Sequence, residues 1–197
     1  MRLLGFSDIH CDLAGARRLV ALADEADVVI GAGDFASVHQ GLAETVAVLE
    51  AIDKPTVLVA GNNETDDALR RATAGWTTAS VLHGEQVEIA GTLFFGLGGG
   101  VPVTPWEWSF DLTEREARSK LAGCPDGGVL VVHSPPKNHV DGHPGRHLGS
   151  VAIVETIEAR QPLVAVCGHV HECWGQEATI GRTRVLNLGP SGTFITL

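Results

Sequence analysis

The sequence predicts a layered α/β domain, and three observations carry that reading. Short apolar runs alternate with segments whose apolar residues recur at helical spacing. The connections between them are rich in Gly, Asp, Asn and His. The chain then finishes with consecutive short strands in place of further helices, a pattern that suits sheets sandwiched by helices.

Residues 1–6 read as a strand, and Asp12 caps a helix whose apolar positions Leu13, Ala16, Val20 and Ala23 keep helical spacing. Residues 28–30 form a second buried strand, 42–52 a second helix, and Pro55 opens a strand over 56–59. Residues 65–74 are helical. Residues 81–89 and 92–97 form a hairpin turning at Ala90–Gly91. A long Gly, Pro and Trp loop spans 98–110. Thr113 and Glu116 then make a capping box for a helix that stops near Gly123 and Pro125. After a strand over 129–132 comes a second long loop, 134–149. Ser150 caps a helix over 151–160 that Pro162 closes off, and strands over 163–166, 176–180, 183–188 and 193–196 complete the chain.

Bulk properties bound the function. A length of 197 residues suits one domain, residues 1–197, with a substantial core, and 44% hydrophobic with 19% charged residues is ordinary globular composition. No apolar run approaches the roughly 20 residues that span a bilayer, and the apolar stretch within residues 1–10 is too short for a signal peptide. A cytoplasmic setting is expected, with no membrane partner. Cys11, Cys124, Cys167 and Cys173 fit neither a zinc ribbon nor a disulfide framework and are expected as reduced, mostly buried thiols. A net charge of −10 argues against duplex nucleic acid as a partner. It leaves phosphate-bearing small molecules open, because bound metal ions supply positive charge locally.

The informative residues stand just past the ends of the strands. The first run ends in Ser7-Asp8-Ile9-His10, the second in Gly33-Asp34, the third in Gly61-Asn62-Asn63-Glu64. Later runs end in His133 and in Gly168-His169-Val170-His171. Ligands of open α/β sheets bind beyond the carboxyl ends of the strands, so five loops deliver Asp8, His10, Asp34, Asn62, His133, His169 and His171 to one crevice. Each motif alone is a common turn or a satisfied histidine; together they define a metal site. Imidazole mixed with carboxylate oxygen, without thiolate, suits Mn, Fe, Zn, Co or Ni. The set is too large for one ion and fits two that share a carboxylate. Two ions about 3.5–4 Å apart clamp the attacking and leaving oxygens of a phosphoryl displacement, and a hydroxide bridging them is the expected nucleophile.

In this order the residues resemble the calcineurin-like metallophosphoesterase superfamily, whose signature runs Asp-x-His, Gly-Asp, Gly-Asn-His-Asp/Glu, a lone His and Gly-His-x-His. The match runs from Asp8 to His171. The resemblance implies a four-layer α-β-β-α sandwich of two mixed sheets flanked by helices. It implies one metal held by Asp8, His10, Asp34 and His171, and another by Asp34, Asn62, His133 and His169, with Asp34 bridging. Gly98-Gly99-Gly100, His133-Ser134-Pro135-Pro136 and His147-Leu148-Gly149-Ser150 are similar to segments of compact prokaryotic members related to the cyclic-nucleotide phosphodiesterase branch.

One position departs from the signature. Asn63 stands where many members have a histidine that assists the leaving group or the transition state. Asn63 can donate a hydrogen bond to a phosphoryl oxygen but cannot act as a general acid. The loop 134–149 offers replacements in Lys137, His139, His143, Arg146 and His147. His147 is favoured, because it precedes the helix capped by Ser150, whose N-terminus would attract a substrate phosphate. Asn63 and His147 are thus the expected catalytic and substrate-contacting residues, with His39 a further candidate facing the metals. Trp106 and Trp108 are placed either to stack on a nucleobase or to pack their loop onto the domain, and Trp76 belongs to the core.

The expected activity is metal-dependent hydrolysis of a phosphate ester, a phosphodiester ahead of a monoester, with small substrates, nucleotidic ones among them. The segment Gly33-Asp34-Phe35-Ala36 lacks the longer motif of the large protein phosphatases. The alternative class is a non-catalytic scaffold for protein partners, as in the retromer complex, but scaffolds tend to lose metal residues and this chain keeps all seven. A homodimer is a common arrangement that nothing in the sequence specifies.

Overall fold

The architecture stems from strands that are apolar on both faces. In the computed structural model, which describes residues 1–143 and 145–197 with the side chain of His143 set aside, β1 (Arg2–Phe6) sends Leu4 and Phe6 to one side and Leu3 to the other. The same period-two division holds for β2 (Val28–Ala32) and β3 (Thr56–Val59), with Val29 and Leu58 opposite Val28, Ile30, Val57 and Val59. A strand buried on both faces needs cover on both, which is the condition of an inner layer.

The first sheet has the order β13-β1-β2-β3-β4, where β4 is Ala79–Val81 and β13 is Thr193–Thr196. Its outer face is covered by α1 (Leu13–Ala23), α2 (Leu42–Leu49) and α3 (Asp66–Ala72) through Ala16, Leu19, Val46, Leu49 and Leu69. The second sheet has the order β11-β12-β10-β7-β6-β5, comprising β5 (Glu85–Ile89), β6 (Thr92–Leu97), β7 (Val129–Val132), β10 (Val164–Cys167), β11 (Glu177–Ile180) and β12 (Thr183–Asn187). Ala117 and Leu121 of α4 (Glu114–Leu121) and Ala152, Ile153 and Ile157 of α5 (Val151–Arg160) cover its outer face. Between the sheets lies a third apolar layer in which Leu3, Ile30, Val57 and Val59 share a cluster with Phe94, Val131, Val166 and Leu186. Each such fully buried side chain contributes about 1.5–3 kcal/mol. The result is the expected α-β-β-α sandwich of two mixed sheets. β13 and β11 are their antiparallel additions, and β5 is antiparallel to β6.

Several local expectations hold. Asp12 accepts from the amides of Ala14 and Gly15, Thr65 from Ala68, and Ser150 from Ile153, each at the start of its helix. The capping box of Thr113 and Glu116 is formed. Trp76 is buried with Nε1 donating to the Ile52 carbonyl at 3.1 Å, and all four cysteines are free, with only Cys11 half-buried.

One expectation needs correction. Residues 81–89 are not a single strand: Val81 ends β4 in the first sheet, and β5 begins the second sheet at Glu85. His83 and Gly84 carry the chain across, with Gly84 at φ 78°, a backbone state that favours glycine. The hairpin of β5 and β6 pairs Ile89 with Thr92 as expected. Within the loop 134–149, two short strands pair, β8 (Gly142–His143) and β9 (Arg146–His147), a feature the sequence pattern did not suggest.

Candidate metal centre and its cleft

β1, β2 and β3 run parallel in one sheet, and β6, β7, β10 and β12 in the other, so the loops at their carboxyl ends meet at one edge of the sandwich. The backbone ties them together. Asp8 N donates to Gly33 O at 2.9 Å, His10 N to Asp34 O at 3.0 Å, and Gly168 N to His133 O at 2.9 Å. Across the sheets, His133 Nδ1–H donates to Ala32 O at 2.8 Å.

These loops hold strained backbone. Of the eleven non-glycine residues with positive φ among the described residues, Asp8, His10, Cys11, Asp34, Val38, His39 and His169 lie in three of them. Each such conformation costs about 1–3 kcal/mol and persists only where surrounding structure enforces it. Close approach is part of that enforcement: a Cβ on Gly61 would collide with the Asp34 carboxylate, and one on Gly168 with Asp8 and Ser7.

Two donor clusters result, each with its atoms within 4.8 Å of one another: Asp8, His10 and His171, and Asp34, His133 and His169. Asp34 joins them, with Oδ2 at 3.5 Å from His10 Nε2 and Oδ1 at 3.5 Å from His133 Nε2. Asn62 Oδ1 lies 3.2 Å from His133 Nε2 and 3.0 Å from His169 Nδ1. The structure thus brings together all seven residues the sequence singled out.

This arrangement fits divalent cations. His10 Nδ1–H donates to Ala36 O at 3.1 Å, as His133 does to Ala32, so both rings present Nε2 as the free atom. His10 Nε2 then faces His171 Nε2 at 3.2 Å, and His133 Nε2 faces two oxygens. Lone pairs turned toward one another this way call for positive charge between them. Burial would raise the Asp8 carboxyl, but His171, His133 and Ser7 outweigh it and lower it to about 2. Burial pushes His169 down to about 3, keeping it a neutral donor. Burial would lower His133, but Asp34 and Asp8 outweigh it and raise it, and the hydrogen bond to Asp8 raises His171, so a cation bound there would take the place of a proton.

A surrounding shell orients these donors. Asn63 donates to both oxygens of Asp34, from its backbone N at 2.8 Å and from Nδ2 at 2.7 Å, while its own Oδ1 accepts from Val38 N at 2.9 Å. Asn62 Nδ2 donates to Ser109 Oγ at 2.9 Å, and Ser109 Oγ to Asp111 at 2.7 Å, which turns Asn62 Oδ1 inward. Glu64 is buried and accepts from the amides of Gly61, Asp34 and Ala36 at 2.6–2.9 Å; burial and the nearby Asp34 raise its carboxyl to about 7. Ser7 and Trp174 both donate to Asp8 Oδ2, and Asn187 Nδ2 holds the Gly168 and Val140 carbonyls. Apart from Asn63, none of these supports has a role that the sequence pattern suggested. Glu64 sat in a recognisable motif, whereas Ser109, Asp111, Trp174 and Asn187 gave no signal.

The cleft has two compartments. The first, about 580 Å³, is lined by His10, Asp34, Asn62, Asn63, His169 and His171, with Trp106, Trp108 and Leu148 toward its mouth. The second, about 540 Å³, continues past Trp106, Leu148 and His169 to Lys137, Arg146 and His147. His147 therefore stands beside the donor clusters and not among them, its Nδ1 held 2.8 Å from Asp141 Oδ1. The expected phosphate site at the N-terminus of α5 needs correction. Glu114 already occupies it, accepting from Val151 N and Ala152 N at 2.8 and 2.7 Å, and a second anion there would be repelled. His39 does not line the first compartment; its Nε2 lies 2.6 Å from Trp108 O, and its ring meets Trp108 edge-on. Trp106 and Trp108 stack on each other with centroids 5.6 Å apart. His139 lines neither compartment, and the side chain of His143 lies outside the described residues.

A cleft of this build, at the meeting edge of two facing sheets, gathers metal-type donors from both. The chain matches the calcineurin-like phosphoesterase superfamily domain over residues 1–194 and belongs to that superfamily. The two donor clusters described above could hold the metal ions after which that superfamily is named. In sequence it is similar to a UPF0046 protein of Caenorhabditis elegans, 30% identical over 111 residues, which cover 56% of this chain and 38% of that protein. The match thus spans well under half the length of that relative. In fold it is similar to the protein TT1561 of Thermus thermophilus, with a TM-score of 0.76 at 20% identity over 96% of this chain and 90% of that one. A dimetal phosphatase from Danio rerio gives 0.65 at 14% identity, over 96% and 88%. Among the described residues no helix is long and apolar enough to cross a membrane.

Proposed function

We propose that the protein hydrolyses phosphodiesters at a centre of two divalent metal ions. One ion is held by Asp8, His10, Asp34 and His171, the other by Asp34, Asn62, His133 and His169. The observation that carries this reading is Asp34, one carboxylate whose two oxygens face two separate donor clusters. When bound, such ions polarise the phosphoryl oxygens and make a water acidic enough to attack as hydroxide near neutral pH.

The chain's own residues do the rest. Asn63 fixes both oxygens of Asp34 and keeps one Nδ2 hydrogen to offer a phosphoryl oxygen. His147, its Nδ1–H given to Asp141, keeps Nε2 for the ester's organic side. The preference for a diester rests on room: past Trp106, Leu148 and His169 the cleft continues into a second compartment of about 540 Å³, space that a second ester group would fill and a bare monoester phosphate would not. A cytoplasmic setting belongs to the same proposal, supported by four unpaired cysteines suited to a reducing compartment.

The test uses metal-stripped protein assayed on bis-p-nitrophenyl phosphate and p-nitrophenyl phosphate, with Mn, Fe, Zn, Co and Ni restored one at a time. Metal-dependent cleavage that favours the diester supports the reading. A monoester preference would replace the substrate class, and no turnover by a folded, metal-loaded chain would favour the scaffold.

A further inference from the structure

Large apolar side chains that remain exposed are unevenly placed on this protein. Val38 is 45% exposed, Val103 58%, Trp106 50% and Leu148 43%, and all four line the two compartments of the cleft. They come from three loops far apart in sequence, so their assembly is a product of the fold. Exposed apolar surface gathered around a polar pocket marks a binding site. Trp106 and Leu148 line both compartments, which makes the second a continuation of the first.

The second compartment has a distinct chemistry. Pro102, Val103, Pro105, Trp106 and Leu148 supply apolar wall, and Lys137 and Arg146 supply positive charge. Among the described residues neither cation has a carboxylate partner within ion-pair distance, whereas Arg2, Arg18, Arg70, Arg118, Arg160 and Arg184 all do. The one carboxylate in the wall, Glu114, is engaged by the amides of α5. In a chain of net charge −10, two uncommitted cations on one cavity wall are complementary to an anion.

We propose that the second compartment holds the organic body of the ester, and that it selects a planar aromatic ring bearing a further anionic group. The ring lies against Trp106, and the anion meets Lys137 and Arg146. This rests on the phosphodiesterase reading and names its substrate class: diesters of nucleotide-like chemistry with a second phosphate, in preference to alkyl or simple aryl diesters.

Three diesters sharing one nitrophenolate leaving group test it: methyl p-nitrophenyl phosphate, thymidine 5′-(p-nitrophenyl phosphate), and the same compound with a 3′-phosphate. The expected result for the metal-loaded protein is a kcat/KM that rises about tenfold at each addition. Trp106→Ala collapses the ratio between the first two substrates. The double variant Lys137→Ala/Arg146→Ala collapses the ratio between the last two. Equal kcat/KM for all three, or ratios that survive these substitutions, would overturn the proposal. So would a Trp106→Ala variant that changes oligomeric state with its ratios intact, which would make the rim a contact between copies. If no diester is cleaved with any metal, the phosphodiesterase reading fails by itself. Thymidine 3′,5′-bisphosphate titrated against tryptophan fluorescence then decides the compartment: quenching lost in the double variant sustains it, and no quenching in the parent chain ends it.

Discussion

The floor and the rim of the cleft are built on opposite principles. The floor is polar and over-determined: Asp34 is 2% exposed and meets Asn63 twice, while Glu64 alone ties down three loop amides. The rim is apolar and open to solvent, with Trp106 half exposed and stacked on Trp108. A floor that must place donor atoms within tenths of an ångström needs backbone restraint from many directions. A rim that recognises an organic group by shape and stacking does not. The proposed function and substrate class would thereby separate chemistry from selectivity in space, and substitutions should separate them as well.

The strongest challenge to the comparison is Asp34→Ala. It should lower kcat/KM by at least about a thousandfold, beyond the loss of a single transition-state donor, with the fold retained by circular dichroism. The same variant should lose metal-induced thermal stabilisation. In the parent chain that stabilisation is expected at about 2.7 kcal/mol when metal exceeds its dissociation constant a hundredfold. One step outward, Ser109→Ala frees the Asn62 amide to rotate. Metal affinity by calorimetric titration should fall about 10–100-fold, the range for groups that orient ligands. Activity losses without a change in metal affinity would show that Asn62 needs no such support.

Glu64→Gln tests the frame beneath the floor. Gln cannot accept from all three amides with the same charge, so unfolding free energy should drop by about 1–3 kcal/mol in denaturant titration. Beyond the cleft, Leu163→Ser is the control for the rim. Leu163 is as exposed as the rim residues but lines neither compartment, and its replacement should shift stability by under about 0.5 kcal/mol. The smallest effect concerns pH. His83 accepts from Gly98 N at 3.3 Å and packs on Phe110, anchoring the base of the Trp loop. Burial, then Lys120, lowers its pKa below the ordinary 6.5. The unfolded chain therefore takes up a proton first, so this stabilisation is present above about pH 6.5 and is lost as pH falls toward the folded value. His83→Gln should flatten the decline in melting temperature between pH 7 and 5. An unaltered slope would remove His83 from the loop's support.

The floor was legible in sequence because its chemistry restricts residue type and its topology restricts position. A donor must be Asp, Asn or His, and it must come after a strand, so Asp8, Asp34, Asn62, His133 and His169 stand out against their neighbours. The inner strands were legible too, since burial on both faces leaves apolar runs such as residues 129–132. The rim was not, because Val38, Val103, Trp106 and Leu148 have no shared period and become a surface only after the loops converge. The same holds for Glu114. It lies in the first turn of α4, yet its carboxylate serves the start of a different helix, at Ser150, 36 residues further on. His83 was read inside one strand because nothing local distinguishes a run that changes sheets from one that continues.

The pairing of β1 with β13 has a consequence for how the molecule comes to be assembled. Leu4 lies opposite Phe194, so the first sheet is closed by residues about as distant in sequence as this chain allows. Contacts of such long range slow folding, because a large loop must be ordered before it is rewarded. The strands that carry Asp8, Asp34 and Asn62 can form early, but one edge of their sheet stays open until residues 193–196 arrive. Exposed strand edges are templates for aggregation, and β13 moves that edge from β1, which carries Asp8 at its end, to a short terminal strand.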